Sequence, residues 1–395
     1  MSGKIVNILI NLGSIAILAR LLSPKEFGIY SIILGFQTLL QPLLNMGLGP
    51  VYIKKKVITA EFTNALFTLN ILLGLFNISL FLLFIPVINN IYQIDFTNMV
   101  LLFCISIIFV SLTMIYNYQF MREKNFFYIF LGTSSANFAS IFVTITCAYY
   151  GFGVWSLIIK IVSYNIFLFL IYFFIAGFKY KFVTVNTIKK FMHDLNFGIK
   201  IFFNNLINGF FNATDRLIFG NFFGFDSLGN YNNAKQLAML PDNIVRLAFT
   251  KVLFVYFERA DSMSKREKYL IYYGSAFLIS SIIPLALYFW GEEIVEIFLG
   301  TQWKEAKNYI TILSIFSLGI ILKNILTRIC MHENLMDEII KYNLITSILI
   351  VSSIFILSIA GMEFRNILIF MSYSLLGAWL LFMFLLAYRL KEIDD

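Results

Sequence analysis

The sequence predicts an all-α polytopic membrane protein with about twelve transmembrane helices in two six-helix lobes. First, the 395 residues are 59% hydrophobic and only 13% charged, with a mean hydropathy of +0.82. Second, the apolar residues form continuous runs of roughly 20, which is the length of a helix that crosses a bilayer. Third, the runs lack the alternation of a β-barrel, and a soluble domain of this size could not bury so much apolar surface.

Each predicted span rests on its own apolar run, and the segments between the runs are short. The longest connection carries four lysines and divides the chain into an N-terminal lobe (1–178), a cytoplasmic linker (179–195) and a C-terminal lobe (196–395). The first run is barely long enough, so we expect a shortened first helix. A cleaved signal peptide is the alternative, although no small-residue cleavage site follows the run. The predicted spans are 4–22, 27–49, 64–88, 98–120, 127–149, 152–176, 196–220, 228–254, 268–290, 306–328, 336–360 and 364–388.

The loops on the two predicted sides differ strongly in basic residues. Sixteen Lys and Arg residues fall in the loops and tails of one side, and four fall on the other. Cytoplasmic loops carry an excess of such residues, so both termini are predicted to be cytoplasmic. The same asymmetry explains the net charge of +8 without a nucleic-acid partner.

The residues that usually build metal sites and disulfides are few and scattered. Cys104, Cys147 and Cys330 lie in apolar segments, and His193 and His332 are far apart. Neither set has the spacing of a ligand cluster, so we expect no disulfide and no metal site. The chain also lacks a phosphate-binding G-x-x-x-x-G-K-[ST] loop, so direct coupling to ATP is not expected.

Two neighbouring spans carry more polarity than lipid tolerates. Their polar residues recur at three- or four-residue spacing, so they stack on one face of each helix. In a membrane, such a stripe must face a bundle interior or a water-filled cavity. We therefore interpret the two stripes as the wall of a transport pathway. The first stripe contains Lys200, Asn204, Asn208, Asn212 and Arg216, with Asp215 beside it, and the second contains Tyr231, Lys235, Asp242 and Arg246.

The two halves of the chain resemble each other. At an offset of 201 residues, the segment 27–30 (FGIY) aligns with 228–231 (LGNY), Gln41 with Asp242, and Asn45 with Arg246. Six spans return the chain to the side where it began. The halves are therefore predicted to be parallel repeats, related by an axis along the membrane normal.

The run 17–30 (ILARLLSPKEFGIY) resembles the first external loop of bacterial polysaccharide flippases in the multidrug/oligosaccharidyl-lipid/polysaccharide exporter superfamily. The segments 228–231 and 298–306 (FLGTQWKEA) are similar to that family's seventh-to-tenth-span region. The resemblance covers nearly the whole chain. It implies two lobes that form a V around a central cavity and work by alternating access. It also implies transport of undecaprenyl-diphosphate-linked oligosaccharide from the cytoplasmic to the outer leaflet of the inner membrane, for O-antigen, capsule or teichuronic-type polysaccharides.

A lipid-linked glycan needs cations for its diphosphate, and amides and aromatic rings for its sugars. Asp242 and Asp215 are the candidates for coupling to a proton or sodium gradient, since a buried carboxylate can change its charge. We expect no bound cofactor. The predicted substrate-binding residues are Arg246, Lys235, Lys200, Arg216, Asn204, Asn208, Asn212, Tyr231, Gln37, Gln41 and Asn45.

Structural roles compete with these assignments. Lys200 and Arg216 are close enough to helix ends to snorkel, and Arg246 has Asp242 one turn away as an ion-pair partner. Asparagine ladders also join helices in membranes. Lys160 is a further candidate cation from the other lobe, whereas Lys323 is interpreted as interfacial.

Two other functions were weighed against a flippase. A cation-coupled multidrug exporter of the same fold predicts carboxylates in the N-terminal lobe, yet the first six spans contain no internal Asp or Glu. A membrane-embedded glycan polymerase or ligase predicts a large external loop with catalytic residues, and the loops here are short. We therefore expect no enzymatic activity. The expected partners are the lipid-linked glycan, membrane lipid, and the polysaccharide polymerase and chain-length machinery.

Overall fold

The computed structural model describes residues 2–177, 180–191, 196–240, 265–332 and 335–394, and these residues form helices and short loops without a β-strand. The predicted all-α class is thereby confirmed. The helices are α1 (Ser2–Leu21), α2 (Pro24–Asn45), α3 (Leu48–Lys54), α4 (Ala60–Tyr92), α5 (Thr97–Arg122), α6 (Phe126–Tyr149), α7 (Val154–Ala176), α8 (Val185–Lys190), α9 (Asn196–Ala238), α10 (Lys265–Leu299), α11 (Lys304–His332), α12 (Met336–Ile359) and α13 (Phe364–Asp394).

The described parts of the predicted spans lie mainly on these helices, and the second span, 27–49, runs past the end of α2 into the first residues of α3. In the described part of the chain, eight helices are long and apolar enough to cross a membrane. Helix α9 contains the whole seventh predicted span and the start of the eighth, joined by a non-helical residue at Gly224 (φ 78°). Helix α10 has a similar break at Trp290. The rest of the eighth span, 241–254, lies outside the described residues.

Large apolar side chains are exposed along the middle of the long helices. Leu83 in α4, Phe142 in α6, Leu278 in α10 and Phe384 in α13 each expose about two-thirds of their surface or more. A soluble protein rarely presents such continuous apolar surface. We conclude that this surface contacts lipid and that the protein is a multi-pass membrane protein.

The chain forms two compact units, unit 1 (Met1–Asn221) and unit 2 (Phe222–Asp395). The division falls inside α9, next to the break at Gly224. Unit 1 therefore includes the first part of α9 as well as α1 to α8. The division into an N-terminal lobe (1–178), a linker (179–195) and a C-terminal lobe (196–395) stays a prediction.

In unit 1, α2 begins with a capping box. The Ser23 hydroxyl accepts a hydrogen bond from the Glu26 backbone N–H, and Glu26 Oε2 accepts one from the Ser23 backbone N–H at 2.7 Å. The other carboxylate oxygen of Glu26 lies directly against Gly153, where a side chain would collide with it. Gly153 (φ +56°) immediately precedes α7. One carboxylate thus fixes the starts of α2 and α7 side by side.

Arg122 joins the end of α5 to the end of α3. Its guanidinium donates hydrogen bonds to the backbone carbonyls of Tyr52, Ile53, Lys55 and Lys56, at 2.5 to 3.3 Å. The last carbonyls of a helix have no partner within the helix, and a cation is favourable there. Arg122 therefore acts as a side-chain cap for α3.

The segment 180–191 packs against the same end of unit 1. The Lys181 backbone N–H donates to Asn64 Oδ1, and the Val183 backbone N–H donates to Thr68 Oγ1, both at 3.1 Å. The Tyr180 hydroxyl donates to the Gln119 side chain at the same distance. The described part of the predicted linker is therefore held on α4 and α5.

In unit 2, the segments 228–231 and 298–306 meet. Asn230 Oδ1 accepts a hydrogen bond from the Ala306 backbone N–H at 3.1 Å, so Asn230 caps the first turn of α11. The ring of Tyr231 packs on Phe364, the first residue of α13, at 6.0 Å between centroids. The end of α9, the start of α11 and the start of α13 are thus joined at one edge of unit 2.

Candidate functional site

Glycines bring α9 into close contact with α2 in unit 1. A methyl group on Gly209 would lie 2.9 Å from the Thr38 carbonyl oxygen, and one on Gly35 would lie 3.1 Å from Leu217 Cδ2. Farther along, Gly198 approaches the Met46 carbonyl. Rising residue numbers on α2 therefore meet falling numbers on α9, so the two helices are antiparallel. Small residues of this kind allow helix backbones to approach closely in membranes.

The amides predicted for sugar binding come together on one side of this contact. Gln37 precedes the contact residue Thr38 by one position, and Asn208 precedes Gly209 in the same way. One step back along a helix turns the side chain by about 100°. Because α2 and α9 are antiparallel, the side chains one residue before the contact residues point to the same side of the interface on both helices. We call these residues the amide rows, and they consist of Gln37, Gln41 and Asn45 on α2 and Asn208 and Asn212 on α9.

The amide rows face an open surface rather than a packed core. Gln41 and Asn212 are exposed, and Gln37, Asn45 and Asn208 are partly buried. The rows therefore leave amide donors and acceptors accessible at the surface of unit 1. Asparagines used only to join helices would be buried in the contact.

Arg216 lies one turn beyond Asn212, at the end of the α9 row. It precedes the contact residue Leu217, and its Nη1 donates to the Thr38 hydroxyl at 3.4 Å. Arg216 faces Gly35 of α2. Gly35 lies eleven residues beyond Pro24, the first residue of that helix, or roughly 16 Å along the helix axis. Asp215 is 7% exposed, and its Oδ1 accepts a hydrogen bond from the Arg216 backbone N–H at 2.8 Å.

Lys235 belongs to unit 2. Its amine lies 5.3 Å from the ring centroid of Tyr231 and 5.4 Å from that of Phe316 on α11. Such cation–π contacts stabilise an ammonium group away from bulk water. Tyr231 itself is 0% exposed. Its predicted stacking on a sugar stays a prediction, and its present contacts favour a role in holding Lys235.

Part of the predicted set cannot be placed. Asp242 and Arg246 lie outside the described residues. Lys200 and Asn204 are on the helical backbone of α9, but their side chains are not described. Within the described residues, no group of three or more His, Cys, Asp or Glu side chains is arranged to hold a metal ion.

Comparison with protein families decides the relationship that the segments 17–30 and 298–306 suggested. The family model described as "Polysaccharide biosynthesis protein" matches residues 17–308. The chain belongs to this polysaccharide biosynthesis family. The family match begins within α1 and reaches the first turn of α11. It therefore includes the amide rows, Arg216 and Lys235.

Among curated proteins, the teichuronic acid biosynthesis protein TuaB of Bacillus subtilis (strain 168) is similar to this chain. The two sequences are 23% identical over 293 residues, which covers 72% of this chain and 59% of TuaB. The chain thus matches about three-fifths of the length of that relative.

Two solved structures share the fold. One is the inward-facing conformation of a multidrug resistance MATE family transporter of the MOP superfamily, with a TM-score of 0.72 and 12% identity, covering 98% of this chain and 96% of that one. The other is the lipid II flippase MurJ in an inward closed conformation, with a TM-score of 0.69 and 16% identity, covering 97% and 87%. Both of these proteins are named for transport, and the likeness to this chain is one of fold.

Two lysines that were not in the predicted site lie inside the helix bundles. Lys160 on α7 donates a hydrogen bond to the Ser14 hydroxyl on α1 at 3.0 Å. Lys323 on α11 lies over the ring of Trp379 on α13, at 5.7 Å from its centroid. Trp379 is 0% exposed. The position of Lys323 at the membrane interface stays a prediction. Position along a helix gives the depth of a residue, but not the direction of its side chain.

Proposed function

We propose that this protein is a flippase that moves a polyprenyl-diphosphate-linked oligosaccharide between the leaflets of the cytoplasmic membrane. In this proposal, undecaprenyl diphosphate carries the glycan and the direction is outward, toward surface polysaccharide synthesis. Membership of the polysaccharide biosynthesis family and a fold shared with a lipid II flippase support it.

The observation that carries the proposal is the convergence of the amide rows on one open side of the α2–α9 contact, with Arg216 at their end. Amides offer both donors and acceptors, which suits the hydroxyl groups of a sugar. Arg216 offers a planar guanidinium for phosphate oxygens. A glycan headgroup needs both kinds of contact at once.

Lys235 supplies a second cation, in unit 2. Its ammonium group lies beside two aromatic rings. We propose that it contacts the diphosphate while the polyprenyl tail stays in lipid. A charge that crosses the membrane core needs such contacts, since an unpaired charge there is very costly.

The uneven distribution of basic residues supports an orientation with both termini in the cytoplasm. Alternating access between the two halves would then expose the site first to the cytoplasmic leaflet and later to the outer leaflet. Asp215 and Asp242 stay the candidates for coupling to a proton or sodium gradient. No other cofactor is proposed, and the polymerase and chain-length machinery would receive the product.

A cation-coupled multidrug exporter is the second candidate function, because the MATE family transporter shares the fold. The described cations argue against it. Lys160, Arg216, Lys235 and Lys323 would all repel the cationic drugs that such exporters carry.

Complementation of a bacterial strain that lacks its own polysaccharide flippase tests the proposal. The protein is expected to restore surface polysaccharide and to remove the accumulated lipid-linked intermediate. A drug-hypersensitive strain serves as the parallel assay. Restored drug resistance without restored polysaccharide would replace the flippase with the exporter.

A further inference from the structure

The segment 180–191 is held on unit 1 by more than its backbone hydrogen bonds. Tyr180 packs on Phe67 of α4, with 5.0 Å between the ring centroids, and Phe191 packs on Phe62 of the same helix at 5.1 Å. Aromatic contacts at both ends therefore fix the segment along the first turns of α4. The segment is thus part of the folded surface of unit 1 rather than a free connection.

The outward side of this segment carries apolar side chains. Phe182 is 71% exposed and Val185 is 60% exposed, whereas Ile188 is buried. Val185 and Lys189 are four residues apart in α8, so they share a face of that helix. A lysine stem covers apolar surface while its amine reaches a polar layer. The outward side therefore has the composition of a segment that lies at a membrane surface.

The hydrogen bonds of the segment give its depth. The backbone N–H groups of Lys181 and Val183 donate to the side chains of Asn64 and Thr68 on α4. Asn64 is the first residue of the third predicted span, 64–88. This part of the segment therefore lies where α4 enters the membrane.

Exposed aromatic residues of α6 mark the same boundary. Phe126 and Phe127 begin this helix and are 64% and 67% exposed. They lie at the same end of unit 1 as the segment, because Gln119, near the end of α5, accepts a hydrogen bond from the Tyr180 hydroxyl. Aromatic side chains collect at the boundary between membrane and water.

The charge at this end of unit 1 is strongly positive. One of its two acidic residues, Glu61, is already paired with Lys190 at 3.0 Å. Lys181 and Lys189 are exposed. Clusters of about four to eight basic residues beside a membrane attract anionic lipids. Eight Lys and Arg residues and two acidic residues lie in the three stretches at this end, which are 52–64, 121–126 and 180–191.

We propose that the segment 180–191 lies in the headgroup layer of the membrane and binds anionic phospholipid. Phe182 and Val185 enter the upper part of the acyl chains, and Lys181 and Lys189 contact lipid phosphates. The segment then anchors unit 1 in the membrane surface, in addition to connecting two parts of the chain. This inference goes beyond the proposed function, because it does not depend on what the protein transports.

Fluorescence quenching of the full-length protein in phosphatidylcholine nanodiscs tests the depth of the segment. The three native cysteines are replaced by alanine, and one new cysteine, Phe182→Cys, Val185→Cys or Asn186→Cys, carries a fluorophore. Labels at 182 and 185 are expected to lose fluorescence to lipid brominated near the top of its acyl chains. Asn186 is exposed and lies about 100° around α8 from Val185, so its label is the matched control. That label is expected to be quenched by acrylamide in the water.

Brominated phosphatidylglycerol, diluted into phosphatidylcholine, tests the charge. The double variant Lys181→Gln with Lys189→Gln is expected to lower the enrichment of this lipid around the label at 185 by at least about fivefold, since each lysine contributes about that factor at an anionic surface. Lys304→Gln, at an exposed lysine that begins α11, is the control and is expected to leave the enrichment unchanged.

Quenching of all three labels by acrylamide alone would show a segment in water and would overturn the anchor. Labels at 182 and 185 that are shielded from both quenchers would indicate a covering protein, another copy or a partner, and would also overturn it. Equal enrichment of phosphatidylglycerol in the double lysine variant and wild type would overturn the binding of anionic lipid. Phe182 packs on Phe67 at 5.6 Å between centroids, so the label at 185 decides if Phe182→Cys fails to fold.

Discussion

Asn230 ties two helices of unit 2 together through one side chain. Its Oδ1 accepts from the Ala306 backbone N–H, and its Nδ2 donates to the Asp226 carbonyl at 2.9 Å. The side chain is 4% exposed, so water cannot replace these partners. The Asn230 side chain is therefore fixed both by α11 and by the Asp226 carbonyl one turn back on α9.

Asn230→Ala is expected to destabilise the protein by about 1–3 kcal/mol, because it leaves the Ala306 N–H buried without an acceptor. Asn230→Asp retains the acceptor beside the N-terminus of α11 and is expected to cost less. Thermal unfolding in detergent measures both. Asn308 is exposed and lies on α11, the helix that Asn230 caps, so Asn308→Ala is the control variant. Equal melting temperatures for Asn230→Ala and Asn308→Ala would contradict the capping role.

Gly153 and Gly151 separate backbone strain from a side-chain collision. Both have positive φ angles, +56° and +80°, but only Gly153 lies against Glu26. Alanine at either position is strained by roughly 1–3 kcal/mol because both φ angles are positive, and Gly153, with ψ −132°, lies outside the left-handed helical region. Gly153→Ala is expected to cost about 1 kcal/mol more, because it also displaces the carboxylate that caps α2. The same unfolding measurement compares them, and equal losses would exclude a role for Glu26 at α7.

At the scale of elements, helix positions followed from the sequence and helix contacts did not. Long apolar runs located the helices, because a membrane leaves the backbone few other ways to satisfy its hydrogen bonds. The break at Gly224 lies between the seventh and eighth predicted spans, so the boundary between these two helices followed from the sequence. Arg122 was counted only as an orientation charge, and nothing in its local sequence indicated the α3 carbonyls that it caps.

Gly209→Ala tests the close packing of α9 on α2. The added methyl group would lie 2.9 Å from a backbone oxygen, which cannot move as a side chain can. The expected cost is about 1–3 kcal/mol. Gly13→Ala is the matched control, because Gly13 is also helical and has open space around it. That variant is expected to be neutral or to stabilise by up to about 1 kcal/mol. A melting temperature for Gly209→Ala at or above wild type would show that the two helices do not pack this closely.

At the scale of the whole molecule, the candidate site was predictable in part. The first polar stripe identified Asn208 and Asn212 of the amide rows, because a four-residue period places amides on one helix face. The period does not specify which helix lies beside that face, so the burial of Tyr231 under Lys235 was not foreseen.

The amide rows give a functional prediction for the assembled protein. The double variant Gln41→Leu with Asn208→Leu removes one amide from each row and leaves the glycine contacts intact. It is expected to insert normally and to lower restoration of surface polysaccharide by about tenfold, since sugar hydroxyls lose their partners. Asn308→Leu is the control. Restoration by the double variant equal to wild type would show that the rows do not contact the glycan.

The most direct test of the central claim, that the protein carries an anionic lipid-linked glycan with Arg216 of unit 1 and Lys235 of unit 2 among its cationic contacts, is a translocation assay in proteoliposomes. The measured quantity is the rate at which an undecaprenyl-diphosphate-linked sugar reaches the opposite leaflet. Wild type is expected to move it, and the double variant Arg216→Gln with Lys235→Gln is expected to move it no faster than protein-free liposomes. Equal rates for the double variant and wild type would contradict the account.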